Sequence, residues 1–153
     1  MSIAIEPGRA DEPDTLRLVA ELDAYLGGLY PAESNHGLTT EQLARPNVRL
    51  FLVRHAGEAL GCGAFVNVGG AYAEIKRMYV RPASRGLKLG RRLLEFVEDR
   101  ARVEGLPLAR LETGIAQPEA LALYERCGYV RRGPFGDYAD DPSSVFMEKA
   151  LQR

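Results

Sequence analysis

The stretch Val80-Arg-Pro-Ala-Ser-Arg85-Gly86-Leu87-Lys88-Leu89-Gly90-Arg91-Arg92-Leu-Leu-Glu95 holds the densest group of residues able to do chemistry. A strand pattern runs into a loop with two glycines, and the loop runs into a helix pattern. Arg85, Lys88, Arg91 and Arg92 fall at the helix start, where peptide dipoles already place about half a positive charge. Each cation there costs roughly 0.3–1 kcal/mol unless an anion compensates it. No acidic residue stands between Arg81 and Gly90. Exposed N–H groups at a helix start bind phosphate well, and Gly86 and Gly90 allow close backbone approach to a ligand. The pattern therefore points to a phosphate-bearing ligand. It is neither a P-loop nor a dinucleotide fingerprint, because the required glycine spacings are missing.

The elements that must carry this loop can be read from periodicity. Ser2 to Glu6 predicts a strand, and Asp14 to Leu26 a helix capped by Asp11 or Asp14. Leu29 to Leu38 reads as a loop, and Thr39 to Ala44 as one or two helical turns. Val48–Arg54, Leu60–Val68 and Ala71–Val80 predict three strands joined by short turns, an antiparallel meander. Leu89 to Glu104 is the longest helix, with a stripe of Leu89, Leu93, Leu94, Val97 and Ala101. A strand over Leu108–Thr113 and a helix over Pro118–Cys127 follow, then short strands from Tyr129 and from Val145. Between the last two strands, Phe135 to Ser144 forms a polar loop. The order β-α-α-β-β-β-α-β-α-β-β predicts an α/β fold with a mixed sheet.

The chain has 153 residues, expected to form one domain. Its 46% hydrophobic and 27% charged content excludes a disordered chain. A net charge of −1 argues against a nucleic-acid coat. No apolar run approaches membrane-spanning length, and residues Met1 to Pro7 show no secretory signal. Cys62 and Cys127 form neither a metal-spaced cluster nor a disulfide framework. Two free thiols suit a reducing cytoplasm. No metal site is expected.

Met78-Tyr79-Val80-Arg81-Pro82-x-x-Arg85-Gly86-x-x-x-Gly90-Arg91-x-Leu93-Leu94-Glu95 resembles the acyl-CoA diphosphate loop of the GNAT superfamily of N-acetyltransferases. Arg85 and Gly90 match the ends of the pattern Arg/Gln-x-x-Gly-x-Gly/Ala, while Lys88 stands where its middle glycine falls. Any left-handed backbone there would be strained. Ala120-x-x-Leu123-Tyr124-x-x-x-Gly128-Tyr129 resembles the family's second signature, in the family's order and separation. The resemblance spans essentially the whole chain. It implies a mostly antiparallel sheet splayed at its centre, with helices on both faces and acetyl-CoA in the opening between the Met78–Val80 and Arg110–Thr113 strands.

The resemblance also implies roles for single residues. Tyr124 would be general acid toward the coenzyme A sulfur, and Glu74 would be general base. Met78, Tyr79 and Val80 would offer backbone groups to the pantetheine arm. Arg85, Gly86, Leu87, Lys88, Leu89, Gly90 and Arg91 would hold the diphosphate, and Gln117 would stand in for an asparagine that contacts the cofactor. Cys127 shares a helix face with Tyr124, but no Cys/His/Asp grouping supports a nucleophile, so it reads as a buried thiol. On the acceptor side, Glu33, His36 and Tyr138 lie in two loops that also hold Asp137, Asp140 and Asp141. This acidity would favour a small-molecule amine. The whole reads as an N-acetyltransferase working by direct attack in a ternary complex. A non-catalytic acyl-CoA-binding module and a protein acetyltransferase are the rival readings, and a homodimer is expected only by analogy.

Overall fold

The structure is a computed structural model and describes residues 2–31 and 37–151. Four helices and seven strands follow in chain order: β1 (Ala4–Pro7), α1 (Pro13–Gly27), α2 (Thr40–Leu43), β2 (Val48–His55), β3 (Glu58–Val68), β4 (Tyr72–Val80), α3 (Leu89–Val103), β5 (Leu108–Gly114), α4 (Pro118–Arg126), β6 (Val130–Arg132) and β7 (Ser144–Ala150). A 3-10 turn over Pro82–Leu87 lies between β4 and α3. The strands form one sheet in the order β1-β2-β3-β4-β5-β7-β6. Every pairing is antiparallel except β4 with β5.

Alternation along β2 sends Leu50 and Leu52 to one face and Phe51 and Val53 to the other. Leu18, Val19 and Leu22 of α1 and Leu43 of α2 cover the first face. The α3 stripe Leu89, Leu93, Leu94, Val97 and Ala101 is buried on the second, together with Leu121 and Tyr124 of α4. Helices thus lie on both faces, as expected. Helix α1 begins differently from the expectation: its N-cap is Glu12, without a side-chain cap, and Pro13 takes the first position, where its missing N–H costs nothing. Leu16 of this helix is exposed.

Two irregularities prepare the site. The parallel pairing of β4 with β5 covers only Ala73–Ile75 against Ala109–Leu111. Beyond it the strands diverge, β5 keeping β7 as its partner through Gly114. This is the expected splay. A bulge in β4 then sets Arg77 and Met78 opposite Gly63, between the pairs Ala64–Lys76 and Cys62–Tyr79. Arg77 takes φ 55° to make it, a left-handed backbone costing a non-glycine residue roughly 1–2 kcal/mol. The bulge reverses the side-chain parity of the strand. Ile75 and Met78 consequently pack in the α3-side core, whereas Tyr79 packs against α1. Among the described residues, no helix is long and apolar enough to cross a membrane.

Candidate active site

The splay opens into two adjoining cavities. The one beside α3 has a volume of about 890 Å3 and is lined by Met78, Tyr79, Val80, Arg85, Lys88 and Arg91, among others. The one toward α1 has about 310 Å3 and is lined by Tyr30, Lys76, Arg77, Glu112, Thr113 and Ser143, among others. Met78, Gln117, Ala120 and Tyr124 border both cavities.

Helix α3 starts at Leu89 as expected, but Arg85 and Lys88 precede its first turn rather than standing on it. Arg85 lies in the 3-10 turn with Gly86 and Leu87, and Lys88 is the N-cap of α3, so only Arg91 and Arg92 stand in the first helical turn. No acidic residue occupies that turn, and no side chain caps its N–H groups. Lys88 adopts φ 56° and ψ 29°, the conformation that a glycine takes without strain. Its side chain is exposed and lines the larger cavity. Arg85 Nε donates to Val80 O at 3.1 Å, placing its guanidinium at the end of β4. Arg126 of α4, which sequence reasoning missed, adds a further cation to the wall. Its signal is its spacing, three residues beyond Leu123 on one helix face.

These donors fit a diphosphate: Arg85, Lys88, Arg91 and Arg126 supply charge, and the uncapped start of α3 supplies N–H groups. The edge of β4 past its pairing with β5 fits an extended arm that adds to a sheet. Met78 through Val80 lie on this edge, and Leu89 and Gly90 open α3. The Tyr79 side chain, however, points away toward α1 and donates its hydroxyl to Glu21 Oε1 at 3.1 Å. Its contribution to the cavity edge is therefore through the backbone.

Tyr124 is buried at 7% exposure where the two cavities meet, its ring packed edge-on to Tyr129. Burial, with smaller contributions from Cys127 and the Glu112 carboxylate, pushes its hydroxyl well above the ordinary phenol range. It is a phenol that keeps its proton at neutral pH. Cys127 is half-buried and Cys62 buried, and burial raises both thiols. A raised thiol is a poor nucleophile.

Glu74 departs from the expected arrangement. It is absent from the described lining of either cavity. Its Oε2 accepts the Tyr138 hydroxyl at 2.6 Å and lies 3.2 Å from Lys76 Nζ, which also contacts Tyr138. Both Glu74 and Lys76 are largely buried. Tyr138 is in turn packed against Phe135 and Phe146. Burial and the Glu74 charge push the Tyr138 phenol far up. Glu74 and Tyr138 thus hold the cavity wall through Lys76, whose side chain reaches the lining.

Among the described residues, the carboxylate on the wall is Glu112 of β5, which the sequence reading passed over. Ser144 Oγ donates to its Oε2 at 2.8 Å. The signal was alternation: Glu112 shares a face with Arg110 and lies one step past the last β4–β5 pair. Arg77, at 5% side-chain exposure, fixes the opposite wall, donating to Asp23 Oδ1 at 2.5 Å and to Leu38 O at 2.8 and 3.0 Å. Gln117 Oε1 accepts the Gly114 N–H at 3.1 Å and the Tyr30 hydroxyl at 3.3 Å. Asp137 and Asp140 stand exposed, and Asp141 accepts the Ser143 N–H at 2.7 Å. None of the three is among the described lining. Glu33 and His36 lie outside the described residues. Among the described residues no cluster suited to a metal ion occurs.

Comparison with known proteins agrees with this geometry. The acetyltransferase (GNAT) family model matches residues 17–129. An IAA acetyltransferase of Azospirillum brasilense is 52% identical over 137 residues, covering 89% of this chain and 90% of that protein. A solved Klebsiella pneumoniae structure, provisionally described as an acyl-CoA N-acyltransferase, is 38% identical and superposes with a TM-score of 0.84 over 98% of each chain. The PaiA N-acetyltransferase of Thermoplasma acidophilum, solved in complex with coenzyme A, shares the fold at a TM-score of 0.75 and 20% identity, over 98% of this chain and 99% of that one. The chain belongs to the GNAT family and is an N-acetyltransferase.

Proposed function

We propose that the protein moves an acetyl group from acetyl-CoA to the amine of a small molecule, by direct attack within a ternary complex. The observation that carries this reading is the position of Tyr124. It stands where the cation-lined cavity meets the one that holds Glu112. Acetyl-CoA would supply an activated thioester. Arg85, Lys88, Arg91 and the start of α3 would hold its diphosphate, and the edge of β4 past its pairing with β5 would hold its arm.

The chain's own residues then have three tasks. An ammonium has no lone pair, so a base must take its proton; Glu112 is, among the described residues, the carboxylate on the wall of the smaller cavity and takes this role in place of Glu74. The thioester oxygen needs a donor as negative charge grows on it, and the backbone N–H of Tyr79 or Val80 at the cavity edge is assigned that part. As nitrogen bonds to the acyl carbon and the carbon–sulfur bond breaks, the Tyr124 hydroxyl donates to the departing sulfur. With so raised a phenol, full proton transfer to a thiolate runs uphill, because ordinary thiols have a pKa of about 8.5. The first contribution of Tyr124 is therefore a charge-assisted hydrogen bond.

The negative charge of Glu112 favours an amine acceptor. The name of the Azospirillum relative adds IAA to the compounds worth testing. The experiment is thiol release from acetyl-CoA with primary amines, amino acids, IAA and amine-free controls. Amine-dependent release is expected. Binding of acetyl-CoA without release for any acceptor would instead indicate a non-catalytic acyl-CoA-binding module.

A further inference from the structure

Tyr30 follows α1 and reaches across the open end of the cleft to the turn between β5 and α4. Its hydroxyl accepts the Ala116 N–H at 3.0 Å and donates to Gln117 Oε1 at 3.3 Å. The same Oε1 accepts the Gly114 N–H at 3.1 Å, so one carbonyl ties the phenol to the last residue of β5. Burial raises the Tyr30 phenol, and the Ala116 N–H partly offsets this.

The ring leaves no room for a side chain at residue 114. A Cβ there would lie 1.7 Å from the Tyr30 hydroxyl oxygen and 2.1 Å from Cζ. Gly114 is not in the left-handed region. The demand for glycine is therefore steric and comes from Tyr30 alone among the nearest atoms. Tyr30, Gly114 and Gln117 all line the cavity that contains Glu112 and Tyr124. At about 310 Å3 that cavity is small, near the lower end of ligand sites at roughly 300–1,000 Å3.

We infer that Tyr30 is a specificity-determining wall of the acceptor cavity, latched in place through Gly114 and Gln117, and that it restricts the reaction to compact primary amines. The word acceptor rests on the acetyl-transfer reading above. The latch spans the splay: it joins the end of α1, which packs on the β3–β4 half, to the end of β5 in the other half. Without the ring the cavity loses its boundary at that end, and longer amines gain room.

The experiment is a double-mutant cycle on the full chain, read with n-alkylamines of increasing length and with acetyl-CoA affinity measured separately. Tyr30→Ala and Gly114→Ala are each expected to raise KM for the shortest accepted amine by about fivefold to tenfold and to raise the relative kcat/KM of longer amines. Acetyl-CoA affinity should stay within about twofold of the parent. In the Tyr30→Ala background, Gly114→Ala should add nothing, because the clashing ring is gone. Tyr30→Phe keeps the ring but loses both bonds of its hydroxyl, and should shift the length profile in the same direction as Tyr30→Ala but less. An unchanged length profile in Tyr30→Ala, or multiplying effects in the double variant, would overturn the inference. If the parent releases no thiol with any amine, the acetyl-transfer reading falls instead. The latch is then judged by amide exchange at Ala116. Protection lost in Tyr30→Phe supports it, and unchanged protection refutes it.

Discussion

The two ends of the cleft are built in opposite ways. The end beside α3 is made mainly from two continuous stretches, Met78 to Arg91 and Gln117 to Arg126, and works through backbone groups and exposed cations. The end toward α1 draws Tyr30, Lys76, Glu112, Gln117 and Tyr124 from the end of α1, from β4, from β5 and from α4 with its cap, and works through side chains, several of them held by partners. A diphosphate is the same in every reaction of this kind, so a local motif suffices to hold it. An acceptor differs from enzyme to enzyme, and the groups that meet it are assembled by the fold. Substitutions at the first end should therefore change affinity with strong salt dependence, and those at the second should change rate and selectivity.

The sharpest contrast is expected from Glu112→Gln, which removes a base yet keeps the size of the side chain. The loss in kcat/KM should reach about 10²–10⁴-fold, with acetyl-CoA affinity unchanged. Glu74→Gln should cost less, because it acts through Lys76 and Tyr138; steady-state rates of the two variants side by side decide between them. Equal losses, or a larger one for Glu74→Gln, would return the base role to β4. Tyr124→Phe removes one hydrogen bond to a charged sulfur and should lower kcat by about 10–100-fold, as expected for roughly 1.5–3 kcal/mol. Cofactor affinity is expected to hold in that variant.

The buried tyrosines also set an alkaline limit on stability. The folded state raises the hydroxyls of Tyr124 and Tyr129, chiefly by burial. It therefore binds these protons more tightly than the unfolded chain, whose phenols titrate near about pH 10. The stabilisation is fully present below that value and is lost as pH rises through it toward the folded values. Denaturant midpoints should fall above about pH 10, and less steeply in Tyr124→Phe. The smallest effect is expected at Lys88. Lys88→Gly relieves the left-handed strain but loosens the unfolded chain, and the two nearly cancel, leaving a net change within about 1 kcal/mol by denaturant titration.

This division also explains what was legible in the sequence. The α3 stripe, the meander and the cation-rich loop follow from periodicity and local patterning, and the splay from the family resemblance; each stands as expected, except that Arg85 and Lys88 precede the first turn of α3. Alternation along β5 puts Glu112 on one face with Arg110, but that this face borders a cavity depends on where β4 leaves β5, a pairing event that no local pattern records. The pairing of Glu74 with Tyr138 is hidden for the same reason, since the two are 64 residues apart. The Arg77 bulge is invisible to a period-two reading, since arginine carries no sign of a left-handed backbone. The Tyr30–Gly114 contact spans most of the chain and leaves only an ordinary glycine as its trace.

The central claim is that the cation-lined opening between β4 and α4 holds acetyl-CoA by its diphosphate. Calorimetric titration of acetyl-CoA into the full chain and into an Arg85→Ala/Arg91→Ala variant tests it directly. The account expects saturable binding by the parent and an affinity about tenfold weaker in the variant, with a flatter salt dependence. No heat with the parent at saturating acetyl-CoA, or equal affinity in the two proteins, would contradict it.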